Sequence, residues 1–137
     1  MRIIQIIGRS NSGKTTFITK LIPILIQSGR TAVIKHLADH EFHLEKGKDT
    51  TEFFDAGAEI SIGIDSMKSV LAIHNSSLDT LLSFLQIQGV DFVIIEGFKD
   101  RPFKKIIIGD LQAEGCILHN PTVHDVIASI GSFDIYG

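Results

Sequence analysis

Gly8-Arg-Ser-Asn-Ser-Gly-Lys-Thr-Thr16 is the stretch that decides the reading of this chain. Gly8, Gly13, Lys14 and Thr15 fall at the fixed positions of the phosphate-cradling pattern G-x-x-x-x-G-K-[ST]. Upstream, Ile3, Ile4, Ile6 and Ile7 form a nearly continuous apolar run, as a strand buried on both faces requires. Downstream, Phe17, Ile18, Leu21, Ile22, Leu25 and Ile26 recur at helical spacing. The motif therefore joins a strand to a helix.

Each residue type has its own chemical reason. The two glycines let the backbone turn successive N–H groups inward as an anion nest, and the helix adds its positive N-terminus at the same point. Lys14 is expected to reach the β- and γ-phosphates, and the Thr15 hydroxyl to coordinate Mg²⁺. Gly8, Arg9, Ser10, Asn11, Ser12, Gly13, Lys14, Thr15 and Thr16 together are the candidate nucleotide-binding residues. A glycine-rich turn with a chance lysine does not account for four fixed positions between matching flanks.

The 137 residues suit one domain, 1–137, and 44% hydrophobic content is enough for a core. A net charge of −3 offers no basic footprint for nucleic acid. The single cysteine, Cys116, excludes an internal disulfide and is expected to be a small buried hydrophobe in a reducing, cytoplasmic setting. No apolar run reaches the length of a membrane span, and the N-terminus shows no signal-peptide pattern, so a soluble, unprocessed chain is expected.

Along the chain, the first helix is predicted over 14–28, with Pro23 inside it and Gly29 as a left-handed cap. A strand follows at Thr31–His36, then a polar loop over 37–49. A short helix over 50–56 has Asp49 as N-cap and Glu52 completing a capping box. Stretches 59–64 and 69–74 alternate as an antiparallel hairpin at an edge of the sheet. Leu78, Leu81, Leu82 and Leu85 mark a helix capped by Ser76 or Ser77. Strands follow at 91–96, 104–108 and 115–119, and a last helix has Asn120 as cap and Pro121 in its first turn. The six tail residues carry little signal. The resulting fold class is α/β, a three-layer α/β/α P-loop NTPase fold with a mostly parallel sheet and an antiparallel edge hairpin.

A phosphate loop needs an acid to hold Mg²⁺ from the end of a neighbouring apolar strand, and Phe92-Val-Ile-Ile-Glu96 supplies one. Lys14, Glu96 and Arg9 are the catalytic candidates; Thr15, Glu96, Asp49 and Thr50 are the candidate metal residues. Asp49 and Thr50 serve equally as a γ-phosphate sensor or as helix capping alone. His36, His40 and His43 are read as lining a polar loop, since zinc normally takes four ligands and no cysteine lies near them.

Several blocks, in this order, resemble one family. They are Gly8–Thr16, Ile34-Lys-His36, Gly47-Lys-Asp-Thr50, Ala56-Gly-Ala58 and Ile95-Glu-Gly-Phe-Lys99, followed by Pro102 and Lys105-Ile106. The family is the molybdopterin-guanine dinucleotide biosynthesis protein B (MobB) group of P-loop GTP-binding proteins, and the blocks span residues 1–108. The resemblance implies GTP and Mg²⁺ as cofactors, weak GTPase activity and an adapter role in forming the molybdopterin guanine dinucleotide cofactor. It also implies molybdopterin or its nucleotidyltransferase as partner, and a homodimer sharing an extended sheet, for which the 59–74 hairpin is the candidate edge. The chain lacks the Asn-Lys-x-Asp guanine signature, so the residues alone indicate a nucleoside triphosphate and GTP follows from the resemblance. A departure precedes Gly47, where Leu44-Glu45-Lys46 stands in place of an expected aspartate. The competing readings are a small P-loop kinase acting on a metabolite and a module that holds nucleotide without turnover. Against the kinase, Arg2, Arg9, Arg30 and Arg101 form no arginine-rich lid segment.

Overall fold

The computed structural model describes residues 1–75 and 77–137. Its strands are β1 (Arg2–Ile7), β2 (Thr31–Lys35), β3 (Ile60–Ile64), β4 (Ser69–Ile73), β5 (Phe92–Glu96), β6 (Lys105–Ile107) and β7 (Cys116–His119). Its α-helices are α1 (Lys14–Leu25), α2 (Asp49–Asp55), α3 (Leu78–Ile87) and α4 (Val123–Ala128). The chain divides into two compact units, 1–38 with 81–137, and 39–80; the second boundary falls inside α3.

In the first unit, five parallel strands lie in the order β2-β5-β1-β6-β7. The isoleucine run puts β1 at the centre, with Ile4, Ile6 and Ile7 fully buried or nearly so. On one face Ile4, Ile6, Ile94 and Ile106 pack with Ile18, Leu21 and Leu25 of α1 and Val126 of α4. Complete burial of each such side chain contributes roughly 1.5–3 kcal/mol. Pro23 lies within α1.

The opposite face has an unusual residue pair at its centre. Gln5 pairs in register with Ile95 on one side and Lys105 on the other, and both polar side chains are buried. Parallel strands are usually joined through a helix. Here residues 97–104 lead from β5 past β1 to β6 without one, and residues 108–115 join β6 to β7 in the same way. Side chains replace the missing helical hydrogen bonds. Gln5 Nε2 donates to Gly97 O (2.8 Å) and Phe98 O (2.6 Å), while Lys105 Nζ donates to Arg101 O (2.8 Å).

In the second unit, α2 packs on the hairpin β3–β4, which forms a two-stranded sheet of its own. Ser61 Oγ donates to Thr50 O at 2.6 Å, and the His74 ring stacks on Phe54 at 3.7 Å. The face carrying Ile60, Ile62 and Ile64, with Leu71 opposite Ile62, is exposed.

Several local expectations change. α1 ends at Leu25, and Gly29 has no left-handed φ; a Cβ there would lie 2.7 Å from Asp91, so close approach is what requires glycine. Lys48, not Asp49, is the N-cap of α2, and no side chain caps it. Ser77 Oγ accepts from Thr80 N at the head of α3; the alternative cap, Ser76, lies outside the described residues. Thr122 caps α4 through a capping box with Asp125, because Asn120 has a left-handed φ of 48° and its side chain is engaged elsewhere. Cys116 is exposed, being at the edge strand β7. The tail is ordered by the sheet: Ile3 N donates to Asp134 O, Arg2 bridges Ile135 antiparallel, and Phe133 is buried. Among the described residues no helix is long and apolar enough to cross a membrane.

Candidate functional site

The phosphate loop leaves the C-terminal end of β1, the edge at which open α/β sheets bind ligands. Its two glycines are there for different reasons. A Cβ on Gly8 would stand 2.4 Å from Ile108 O and 2.7 Å from Ser12 Oγ, so the neighbouring crossover leaves no room. Gly13 has open space around it but a φ of 95°, which side chains rarely adopt. Asn11 also has a positive φ, 59°, and Ser12 N donates to Arg9 O (3.2 Å).

Lys14 folds back across this loop. Its Nζ donates to Gly8 O at 3.0 Å and to Arg9 O at 2.7 Å, which places the ammonium over the loop's centre. The first helical bond is Phe17 N to Gly13 O (3.0 Å). The N–H groups of Lys14, Thr15 and Thr16 thus head α1 without intrahelical partners and present positive charge. Ser12 Oγ is buried with no hydrogen-bond partner. A nest, a free helix N-terminus, an ammonium and an orphaned hydroxyl fit a polyphosphate. Ser10, Thr15 and Thr16 are exposed around it.

Glu96 ends β5, level with Ile6 of β1 and Lys35 of β2. It stands one strand from the phosphate loop, its side chain mostly buried, with Oε1 4.0 Å from Lys35 Nζ. The segment after it is tightly specified. Gly97 and Phe98 both have positive φ, Gln5 holds their carbonyls, and the Phe98 ring stacks on His36 at 4.1 Å.

The Arg9 side chain pairs with Asp110 at 3.1 Å, both side chains largely exposed. Such a pair is worth about 0–1 kcal/mol, so Arg9 is easily released. The loop beyond β6 is clamped by Asn120, whose Oδ1 accepts from Gly109 N (2.7 Å) and whose Nδ2 donates to Gly109 O (3.1 Å).

The first unit therefore carries Gly8–Thr16, which includes Arg9, and Glu96 at the ends of neighbouring strands. Asp49 and Thr50 belong to the second unit, where Asp49 opens α2 and the Thr50 carbonyl accepts from Ser61. His36 lies in the first unit and His40 and His43 in the second. Among the described residues no group of three or more His, Cys, Asp or Glu could hold a metal ion. Sequence reasoning missed Gln5 and Asp110, and it gave Lys35, Lys105 and Asn120 none of the contacts they make here. For Gln5 a signal was present: a polar residue within an isoleucine run is either a strand fault or a buried hydrogen-bonding device.

Known proteins agree with this architecture. Residues 3–131 match the family described as molybdopterin guanine dinucleotide synthesis protein B. A relative in Methanocaldococcus jannaschii is 39% identical over 73% of this chain and 42% of its own length. One in Haemophilus influenzae is 36% identical over 77% of this chain and 62% of its own. Both bear the name molybdopterin-guanine dinucleotide biosynthesis adapter protein, the first provisionally. The match covers less than two thirds of either relative's length. The crystal structure of Bacillus subtilis MobB superposes with a TM-score of 0.74, covering 99% of this chain and 100% of that one, at 22% identity, a likeness of fold. The phosphate loop, Ile34-Lys-His36 and Ile95-Glu-Gly-Phe-Lys99 all fall inside the matched span, and the chain belongs to the molybdopterin guanine dinucleotide synthesis protein B family.

Proposed function

We propose that this protein is a GTP-binding adapter in the synthesis of the molybdopterin guanine dinucleotide cofactor, with weak Mg²⁺-dependent GTPase activity. The observation that carries this reading is Lys14 folded over a glycine-shaped loop at the head of α1, one strand from Glu96. Residues Gly8–Thr16 bind the phosphates. The Thr15 hydroxyl and the Glu96 carboxylate hold Mg²⁺, which when bound offsets charge on the phosphates. Asp49 and Thr50, in the second unit, are kept as candidate metal residues and switch element, and Arg9 is assigned to a neighbouring subunit's nucleotide once it leaves Asp110. Residues 1–137 act as one nucleotide-binding domain of a cytoplasmic homodimer. Its partners are the nucleotidyltransferase or the pterin itself. Turnover by the protein alone is slow, because an arginine supplied to the transition state is worth on the order of 10³–10⁵ in rate.

The test is a calorimetric titration with GTP and ATP, with and without Mg²⁺, on wild type and Lys14→Ala. GTP is expected to bind more tightly than ATP. Loss of the charge-assisted bonds from Lys14 is expected to weaken binding by about 10–100-fold with no change in melting temperature. Equal affinities for the two nucleotides would remove GTP from the reading, and an unaffected Lys14 variant would remove the site.

A further inference from the structure

The two helix-free crossovers leave an opening on the sheet face that carries Gln5 and Lys105. A cleft of about 330 Å³ lies there, with Lys99, Arg101 and Pro102 of the first crossover on one side and Glu114 and Gly115 of the second on the other. Lys105 of β6 also lines it, and only 3% of that residue is exposed. The Lys105 ammonium carries three donors, of which the bond to Arg101 O uses one. A buried ammonium with unused donors is costly unless a partner meets it. Arg101 is itself braced, its guanidinium 5.4 Å from the centre of the Phe103 ring. Two carboxylates, Asp100 and Glu114, also line the cleft, but both residues are exposed and screened by solvent, whereas the charge of Lys105 is not.

From this we propose that the cleft is a second anion site, distinct from the Gly8–Thr16 loop, which takes a phosphate group through Lys105 with Lys99 and Arg101 at its rim. The size decides the class. Ligand pockets run from roughly 300 to 1,000 Å³, so this cleft is at the small end and suits a phosphate or the phosphorylated end of a metabolite rather than a whole nucleotide. Tetrahedral phosphate offers several acceptor oxygens, which the remaining donors of the Lys105 ammonium can meet. The site stands whether or not the phosphate loop is selective for GTP.

The experiment uses the full chain carrying Lys14→Ala, which weakens the phosphate loop whatever nucleotide that loop takes. Inorganic phosphate and glycerol phosphate are titrated separately, followed by ³¹P NMR and calorimetry. Saturable binding is expected, and a preference for glycerol phosphate would identify the end of a phosphomonoester rather than a free ion. Adding Lys105→Met, which keeps length but removes the donors, is expected to weaken binding about tenfold or more. Should that variant fail to fold, the double change Lys99→Ala with Arg101→Ala, at the rim, is expected to weaken binding to a similar degree. Absence of saturable binding in the Lys14→Ala protein would overturn the site. Binding that neither the Lys105 change nor the rim pair weakens would also overturn it.

Discussion

The five-stranded sheet and the β3–β4 hairpin are written in nearly the same residues and have opposite fates. In β1 and β5, Ile4, Ile6, Ile94 and Ile95 are fully buried, while in the hairpin Ile60, Ile62 and Ile64 are 50%, 55% and 81% exposed. β-branched residues report that a segment is extended; they do not report what covers it. Coverage depends on neighbours, and β1 has strands on both sides whereas β3 has only β4. A two-stranded hairpin is marginal in isolation, and an open apolar face is a place for a partner.

The sharpest way to break this contrast is to delete the same group from each region. Ile94→Ala in the sheet is expected to cost about 2–5 kcal/mol through lost transfer energy and a cavity. Ile64→Ala in the hairpin is expected to fall within about 0.5 kcal/mol of wild type in the monomer. Urea unfolding at low protein concentration measures both, and similar losses at the two sites would mean that the hairpin face is covered in the monomer.

A glycine in each region gives the next largest difference. Gly8→Ala would drive a Cβ to 2.4 Å from a backbone carbonyl that cannot move freely. Overpacking of this kind costs roughly 1–3 kcal/mol, and the distorted loop is expected to lose nucleotide affinity as well. At Gly63 a Cβ would meet only the Thr50 methyl, at 3.4 Å, an ordinary contact. Gly63→Ala is therefore expected to be neutral or stabilising by about 0.4–1 kcal/mol, since it reduces the freedom of the unfolded chain. Thermal unfolding of the two variants side by side separates the cases.

These positions show what the sequence made legible. The strand–loop–helix order around Gly8–Thr16 was readable because burial on both faces forces a continuous apolar run and the phosphate loop has fixed spacing. Glu96 was readable because it ends another such run. The roles of Gln5 and Lys105 were not, because they answer to crossovers that lack helices, a property of topology rather than of local pattern. Asn120 shows a related limit: its type and its Pro121 neighbour suit a helix cap, yet tertiary bonds to Gly109 take its side chain and leave the cap to Thr122. Cys116 was read as buried by residue type, which says nothing about being on an edge strand.

If the hairpin's open face receives a second copy of the chain, a charge placed there should be felt in association and not in folding. Ile62→Asp is expected to weaken the dimer by about tenfold or more while leaving nucleotide affinity per chain unchanged. Sedimentation equilibrium over a dilution series measures the first quantity and calorimetry the second. A dimer of unchanged strength would move the contact away from this face.

The smallest effect belongs to the turn that closes the hairpin. Asp65 lies below the usual carboxylate range, chiefly because Lys68 Nζ donates to its side chain, with further bonds from the backbone N–H groups of Met67 and Lys68. These bonds favour the ionised form, so the folded-state pKa is depressed relative to the unfolded chain. The stabilisation is then fully present above the unfolded value of about 3.9 and is lost as pH falls through the lower folded value. The carboxylate is exposed to solvent, so the loss is expected to be local: the turn loosens while the five-stranded sheet is untouched. An NMR titration from pH 6 to pH 2 should show the Met67 and Lys68 amide resonances moving together, with a midpoint below that of an unstructured aspartate. In Asp65→Asn the same resonances should stay still over that range, since the amide keeps an acceptor but does not ionise. Resonances of β1 and β5 that shifted at the Asp65 midpoint would show the turn to be coupled to the sheet, and the contrast between the two regions would then fail at its weakest point.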